Sequence, residues 1–332
     1  MPSRNGEQLR IFVAESLGNH TEIELISGKV GLFQEAINQK LFKEAKTLEQ
    51  CDSILVPHDA FHFNQYPDYL KYLNQLSAKK PLIYSDRGDF PKKPRIINSV
   101  ALRVAINPGE STNNKIVVPY NVESLSHLPL RNYAPSPVIS FMGFMPHVSP
   151  RRILQAARQS PFHPIQGNGA IIRRLSHKAL VRSGLDYRFV IRNSYGALES
   201  QNVHDNRAAY LEILSESDYV SSPRGDANQS ARFYETLSAG RIPLLPFTSI
   251  VLPTATINRS TNNDYFLNFH FYAPKIRNLI LNSWRDFNKK NYHTVQIGIR
   301  ETYQSQLSFS PFMSRMFSLN LKDFFSLANI KN

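Results

Sequence analysis

One segment of the sequence, residues 221–246, concentrates residue types that bind anions and hydroxyl groups. It reads SSPRGDANQSARFYETLSAGRIPLLP, which predicts a strand that stops at a proline, a turn, a short helix and a second strand. A helix that begins after a strand and a turn presents unpaired backbone N–H groups and the positive end of its dipole. The segment therefore predicts an anion site.

Side chains at the start of this segment add hydrogen-bond donors. Arg224 lies beside Gly225 on the predicted turn, and Ser230 and Arg232 fall in the first turn of the predicted helix. An arginine presents a planar fork of donors that matches the oxygens of a phosphate, which a lysine cannot do. These residues are our candidates for contacts with a phosphate group.

The helix also carries a carboxylate. Phe233 and Leu237 are four residues apart and share one face, and Gly240 ends the helix. Glu235 lies about 200° around the helix from Phe233, so it points away from the buried face. A carboxylate cannot hold a phosphate, but it can accept hydrogen bonds from sugar hydroxyls such as those of a ribose.

A purely structural interpretation of the same residues is equally compatible with their spacing. Asp226 and Gln229 fit a capping box at the start of the helix. Arg232 and Glu235 fit an i,i+3 surface pair that contributes a few tenths of a kcal/mol. Spacing alone does not choose between this interpretation and an anion site.

Residues 218–246 resemble the signature region of the exostosin family of glycosyltransferases, through Pro-Arg-Gly, Ser-x-Arg-Phe-x-Glu and a Gly-x-Ile-Pro series. The resemblance implies the GT-B architecture, with two Rossmann-like doubly wound domains that face each other across a cleft, and inverting sugar transfer from UDP-sugars without a bound metal. It also implies that Arg224, Ser230 and Arg232 surround the diphosphate and that Glu235 holds the ribose.

Three other segments extend the likeness over most of the chain, more weakly before residue 135: SILVPHDAFHFN, VISFMGF and ETYQSQLSFSPFMSRMF. The sequence lacks the several cysteines and the membrane anchor of the animal members. This difference favours a cytosolic enzyme over one of the secretory pathway.

Two further residues are candidates for the donor side. Arg192 ends the predicted strand YRFVIRN, where a guanidinium could neutralise charge on a departing nucleotide diphosphate. An ordinary surface arginine at a strand end is the alternative. Gly143 follows VISFM, where a missing side chain would let backbone approach phosphates, although a turn glycine has the same pattern.

Inverting transfer also needs a base for the acceptor hydroxyl. The candidates lie at predicted strand ends of the first half of the chain: His58, Asp59, His62, Asp86, Asp89 and Glu15. Asp59 and Asp86 are the first choices and His58 follows, but each also fits a turn or capping role.

SDRGD lacks the spacing of an Asp-x-Asp metal motif, so we expect neither a metal nor a cofactor besides the nucleotide-sugar substrate.

Short apolar runs alternate with segments of helical period, as in parallel α/β folds. The first series has the strands LRIFVAE, DSILVPH, PLIYSD, ALRVAI and KIVVPY and helices at 29–48 and 66–77. The second has the strands PVISFMGF, YRFVIRN, DYVSSP and IPLLPF and helices at 149–159, 170–182, 205–216 and 229–239. FLNFHFY is a strand or a loop, and the chain is helical from 273 onward.

Residues 121–137 contain three prolines and no clear period, which is typical of a linker. We therefore predict a Rossmann-like acceptor-side domain at 1–135 and a Rossmann-like nucleotide-sugar donor domain at 136–290. A helical tail at 291–332 is expected to cross back to the first domain.

The amino-acid composition limits the compartment and the binding partners that we expect. The chain has 332 residues, one cysteine and a net charge of +13, so we expect a protein of a reducing compartment whose field gathers anions. No apolar stretch fits a signal peptide or a spanning helix, so we expect a cytoplasmic protein. Its basic charge is compatible with peripheral contact with the inner face of an anionic membrane, and the expected acceptor is a glycan or a lipid-linked oligosaccharide. One alternative is a protein that binds a polyanion or a nucleic acid at the same anion site, and another is an inactive scaffold protein. Nucleic acid is the less favoured partner, because the basic residues occur in short pairs dispersed along the chain.

Overall fold

The structure is a computed structural model. It describes residues 9–14, 36–37, 39–60, 63, 66–86, 96–145, 147–159, 165–192, 203–225, 227–248, 250–253, 266–271 and 273–328.

The first half of the chain forms a six-stranded parallel sheet. Its strands are β1 (Arg10–Val13), β2 (Lys43–Glu44), β3 (Ser53–Asp59), β4 (Leu82–Ser85), β5 (Ser99–Arg103) and β6 (Lys115–Val117), in the order β2-β1-β3-β4-β5-β6. Helix α1 (Pro67–Ser77) connects β3 to β4 and begins with a proline at its first turn. Strands β4 and β5 are buried throughout, as expected for a parallel sheet covered on both faces.

The second half forms a five-stranded parallel sheet. Its strands are β7 (Ile139–Phe144), β8 (Tyr187–Arg192), β9 (Tyr219–Ser221), β10 (Ile242–Pro246) and β11 (Leu267–Phe269), in the order β11-β10-β9-β7-β8. Its helices are α2 (Pro150–Gln159), α3 (Gly169–Arg182), α4 (Val203–Ser215), α5 (Ala231–Ser238) and α6 (Ala273–Lys289).

The C-terminal segment is helical. It consists of α7 (Tyr292–Thr302), one π-helical turn (Tyr303–Leu307), α8 (Phe309–Ser318) and α9 (Leu321–Leu327). Phe312 and Phe317 of α8 belong to the core that covers Leu55 and Ile83 of the first sheet. Trp284 of α6, by contrast, lies in the core of the second sheet. The last two helices therefore pack on the first domain.

The predicted fold class, two parallel α/β domains followed by a helical C-terminal region, is confirmed. The predicted strands and the helices at 66–77, 149–159, 170–182, 205–216 and 229–239 are present, with ends shifted by up to three residues. The helix predicted at 29–48 is wrong over 39–48, because Lys43 and Glu44 pair in parallel with Arg10 and Ile11 as edge strand β2. Residues 29–35 and 38 lie outside the described residues.

The predicted linker, 121–137, contains no helix or strand, and it is fastened to the second domain. The Leu125 N–H donates to Ser238 Oγ at 3.1 Å, and the Trp284 indole N–H donates to the Ala134 carbonyl at 2.8 Å. Leu125 is fully buried. The segment therefore has a fixed path along the second domain.

None of the helices in the described ranges is both long and apolar enough to cross a membrane.

Candidate functional site

The carboxyl ends of the two sheets meet at Asn228, on the turn before α5. Its side-chain amide donates to the Ile106 carbonyl at 3.2 Å and to the Thr248 carbonyl at 3.0 Å. Ile106 lies three residues after β5, and Thr248 lies two residues after β10. Open α/β sheets bind ligands at the carboxyl ends of their strands, so this junction marks the candidate site.

Helix α5 points its N-terminus into this region. Ser230 is the N-cap residue, with an extended backbone, and its hydroxyl makes no capping hydrogen bond to the helix. Phe233 and Leu237 are buried, and the chain leaves the helix through Gly240 at φ +71°, as predicted. The hydroxyl of Ser230 is therefore not occupied by the helix that it precedes.

Arg232, in the first turn of α5, lies across the end of β7. Its guanidinium carbon is 5.4 Å from the centre of the Phe141 ring. A Cβ atom added at Gly143 would lie 2.3 Å from Arg232 Nη2, a distance that side chains do not tolerate. The missing side chain of Gly143 thus makes room for Arg232, whereas the sequence interpretation had it make room for a phosphate.

Arg192 ends β8 opposite Phe144 of β7, and the Arg232 guanidinium lies against the neighbouring residue of β7, Gly143. Arg192 Nη2 donates to the Asn206 carbonyl at 2.7 Å, while its buried Nε has no hydrogen-bond partner in the described part of the chain. Burial, and next the positive charge of Arg232, lower the pKa of the Arg192 guanidinium. Two like charges held this close favour a bound anion between them. The pair is therefore suited to the oxygens of a phosphate.

Arg224 is only 3% exposed and connects three parts of the molecule. Its guanidinium donates to Asn107 Oδ1 in the first domain and to the Gln166 carbonyl before α3, both at 2.9 Å. The neighbouring Gly225 carbonyl approaches Gly169 so closely that a Cβ there would lie 2.1 Å from it. Arg224 thus joins the two domains, and its role at a diphosphate stays a prediction.

Glu235, one turn into α5, is half-buried and ion-paired. Arg207 of α4 donates from Nη1 to Glu235 Oε1 at 2.6 Å and from Nη2 to Glu123 Oε2 at 3.1 Å. The carboxylate thus points away from the apolar face of α5, as predicted. The alternative partner, Arg232, is directed at β7 instead.

The predicted capping box does not account for Gln229. Its side-chain amide donates to the Val251 carbonyl at 3.2 Å, and its Oε1 accepts the Tyr234 hydroxyl at 2.9 Å. The helix starts later, after Ser230. Asp226, the other member of the box, lies outside the described residues.

Two of the base candidates, Asp59 and Asp86, lie at the carboxyl ends of neighbouring strands of the first sheet. The strand register pairs Asp59 with Ser85, so Asp59 and Asp86 lie side by side at the carboxyl ends of β3 and β4. The Asp86 carboxylate is buried and lies 3.3 Å from Arg103 Nε. For His58 and Asp59 the structure describes the backbone alone, and Glu15, His62 and Asp89 lie outside the described residues. The identity of the base stays a prediction.

Two residues of the candidate site, Arg207 and Arg173, were not predicted from the sequence. Arg207 gives no sequence clue, because it lies on another helix, 28 residues before Glu235 in the chain. Arg173 of α3 is buried and donates to the carbonyls of Arg224, at 3.1 Å, and Phe144, at 2.6 Å. Arg173 shares a helix face with Ser176 and Leu180, and an arginine on that buried face was a detectable clue.

The described side chains contain no group of three or more histidine, cysteine, aspartate or glutamate residues that could hold a metal ion.

Comparisons with known proteins do not assign the chain to a family. No family model matches the sequence. No curated protein matches it either.

Solved glycosyltransferase structures show distant likeness. Anabaena HepE in complex with UDP-glucose is 12% identical with a TM-score of 0.39, covering 95% of this chain and all of that one. A glycosyltransferase from Rickettsia africae is 11% identical with a TM-score of 0.41, covering 98% of this chain and all of that one. The lipopolysaccharide outer core galactosyltransferase WaaB is 10% identical with a TM-score of 0.45, covering 97% and 99%. Because these scores are all low, the likenesses assign no activity to this chain.

Proposed function

We propose that the protein is an inverting glycosyltransferase that moves a sugar from a nucleotide-sugar, UDP-linked, to a polysaccharide or a glycolipid oligosaccharide. The observation that carries this proposal is the pair of guanidinium groups of Arg192 and Arg232 at the ends of β8 and β7, beside the N-terminus of α5. A pyrophosphate carries the charge that these groups and the helix dipole would neutralise.

The chemistry follows from where charge develops during transfer. When the bond between the sugar and the nucleotide diphosphate breaks, negative charge collects on the departing phosphate oxygen. Preorganised donors that face this oxygen stabilise the transition state more than the substrate. Arg192 and Arg232 would act there, with the hydroxyl of Ser230 as a further donor.

The exostosin resemblance supports the remaining assignments. It places the ribose hydroxyls on Glu235, which the structure locates one helical turn beyond Arg232 on α5. The acceptor then enters from the first domain, where Asp59 or Asp86 would take the proton of its hydroxyl. The reaction proceeds without a metal in this proposal, because the arginines supply the positive charge.

The proposal for the acceptor is based on the net positive charge of the protein. With a net charge of +13, the protein would attract an acidic glycan or a lipid-linked acceptor on an anionic membrane surface. We propose a cytoplasmic protein that contacts the inner face of a membrane peripherally.

Titration calorimetry with UDP, ADP and GDP in the presence of EDTA tests the donor site. We expect one of these diphosphates to bind the wild-type protein. The double variant Arg192→Met/Arg232→Met should lose about a hundredfold in affinity, because each charge-assisted hydrogen bond contributes about 1.5–3 kcal/mol.

Arg188→Met is the matched control, since Arg188 pairs with Glu216 on the exposed surface of the same domain. Binding by Arg188→Met should equal that of the wild type. If no diphosphate binds, while generic single-stranded DNA binds with a steep salt dependence, the protein is a polyanion-binding protein and the proposal is wrong.

A further inference from the structure

The carboxylate of Glu235 is held by one cation from another helix. Arg207 Nη1 lies 2.6 Å from Glu235 Oε1, a short and strong charge-assisted hydrogen bond. Among the described residues, no other ion pair to Glu235 is present. This contact fixes the position of Oε1 and leaves Oε2 without a cation.

The surroundings of this pair make it more than a surface salt bridge. The Glu235 side chain is 15% exposed, and the Arg207 side chain is 34% exposed. The Arg207 guanidinium also lies over the Tyr210 ring, with its carbon 5.4 Å from the ring centre, so a cation–π contact restrains it as well. Its other terminal nitrogen binds Glu123, on the segment that links the two domains. Three contacts therefore fix one guanidinium.

The charge of Glu235 is balanced by Arg207 and not by its other close neighbours. Burial, and next the negative charge of Glu235, raise the pKa of Tyr210 well above its ordinary value, so this hydroxyl stays neutral. The pKa of Tyr303 is raised to about 12 by the same two causes. Burial alone would lower the pKa of Arg207, but its hydrogen bond and ion pair with Glu235 outweigh burial and raise it.

We infer that Arg207 is a positioning residue for recognition of the donor's ribose: it fixes one oxygen of Glu235 so that the other faces the ribose hydroxyls. This inference rests on the proposed function, in which Glu235 accepts those hydroxyls. Without Arg207 the Glu235 carboxylate loses the hydrogen bond that fixes Oε1, so its hydrogen bonds to the ribose hydroxyls would no longer form at one fixed place.

The test measures discrimination between a ribose and a sugar without hydroxyls. Calorimetry compares UDP, ADP and GDP with their 2′,3′-dideoxy counterparts, using the diphosphate that binds the wild type most tightly. We expect the wild type to favour the ribose form by about 10- to 100-fold, since the dideoxy form lacks the hydroxyl groups that donate to the charged carboxylate of Glu235. Arg207→Met should reduce this preference to about threefold or less, and Arg207→Lys should restore part of it.

A merely structural role for Arg207 gives a different pattern. It would weaken binding of the ribose and dideoxy forms equally, or lower the melting temperature with the preference intact. Arg188→Met again serves as the matched control and should keep the full preference, because it breaks an exposed ion pair away from the site.

The outcomes separate this inference from the proposed function. If no diphosphate binds the wild type, both are wrong. If a diphosphate binds and Arg207→Met keeps the full ribose preference, or if the wild type shows no preference, the inference is wrong while nucleotide binding stands.

Discussion

At the residue scale, the site depends on one missing side chain. Gly143 leaves the space into which the Arg232 guanidinium fits, against the face of the Phe141 ring. This arrangement directs a flexible side chain to one place, next to Arg192. The two guanidinium groups then share a site that neither could form alone. Gly143, the second-to-last residue of β7, thus acts through an arginine that lies far along the chain, on α5.

Gly143→Ala tests this arrangement. Its Cβ would lie 2.3 Å from Arg232 Nη2, and the flexible end of the arginine can move away, so we expect the protein to fold. Displacing Arg232 should weaken binding of the nucleoside diphosphate about tenfold by calorimetry, because one charge-assisted hydrogen bond is lost.

Gly298→Ala is the matched control, since nothing lies within 4 Å of a Cβ at that position. It sits inside α7, where alanine stabilises a helix by about 0.5–1 kcal/mol relative to glycine, and it should leave binding unchanged. Wild-type affinity in Gly143→Ala would show that the position of Arg232 does not matter for binding.

Part of the site was predictable from residue spacing. The helical period alone places Glu235 away from Phe233, and the structure agrees. The period cannot say which group meets Glu235, because Arg207 belongs to another helix and arrives through tertiary packing. The same holds for Arg224, whose partner Asn107 is 117 residues away in the other domain.

At the element scale, a buried aspartate fastens the linker to the second domain. Asp218, just before β9, is fully buried and accepts hydrogen bonds from Arg131 Nε at 2.7 Å, from the Val138 N–H at 2.8 Å and from the Tyr292 hydroxyl at 3.1 Å. These donors come from the linker, from the residue before β7 and from α7. One carboxylate therefore ties three segments together.

Asp218→Asn should destabilise the protein by about 3–5 kcal/mol, because it leaves the charge of Arg131 without its partner and turns an acceptor into a donor. Urea unfolding measures this loss. Glu216→Gln, which breaks the exposed pair with Arg188, is the control and should change stability by about 1 kcal/mol or less. Equal effects of the two substitutions would contradict a special role for Asp218.

Most elements were predictable because each strand is a continuous apolar run between turn residues. Strand β2 was not, because Lys43 and Glu44 are both exposed and carry no apolar pattern. Their strand conformation comes from the edge of β1, which offers its backbone groups for pairing. The pairing of β2 with β1 is a tertiary contact, so the local pattern of apolar residues cannot predict it.

At the scale of the whole molecule, the two sheets have separate cores and meet at polar contacts. The last two helices complete the core of the first domain, whereas α6 and α7 belong to that of the second. The alternating strands and helices of the sequence predict two domains. They do not predict that Asn228 and Arg224 bind the first domain, since both contacts depend on how the folded domains dock.

In the proposed reaction the donor and the acceptor bind to different domains, so the central claim is tested by turnover of the full chain. A panel of UDP-, ADP- and GDP-linked sugars is incubated with the protein, and the released nucleoside diphosphate is measured against time. The proposed function predicts slow release from one donor that EDTA does not diminish. This release should fall at least about tenfold in Arg192→Met/Arg232→Met, because the variant lacks the hydrogen-bond donors that stabilise the transition state. Release from no donor in the panel, or equal release by this variant, would contradict the proposed function.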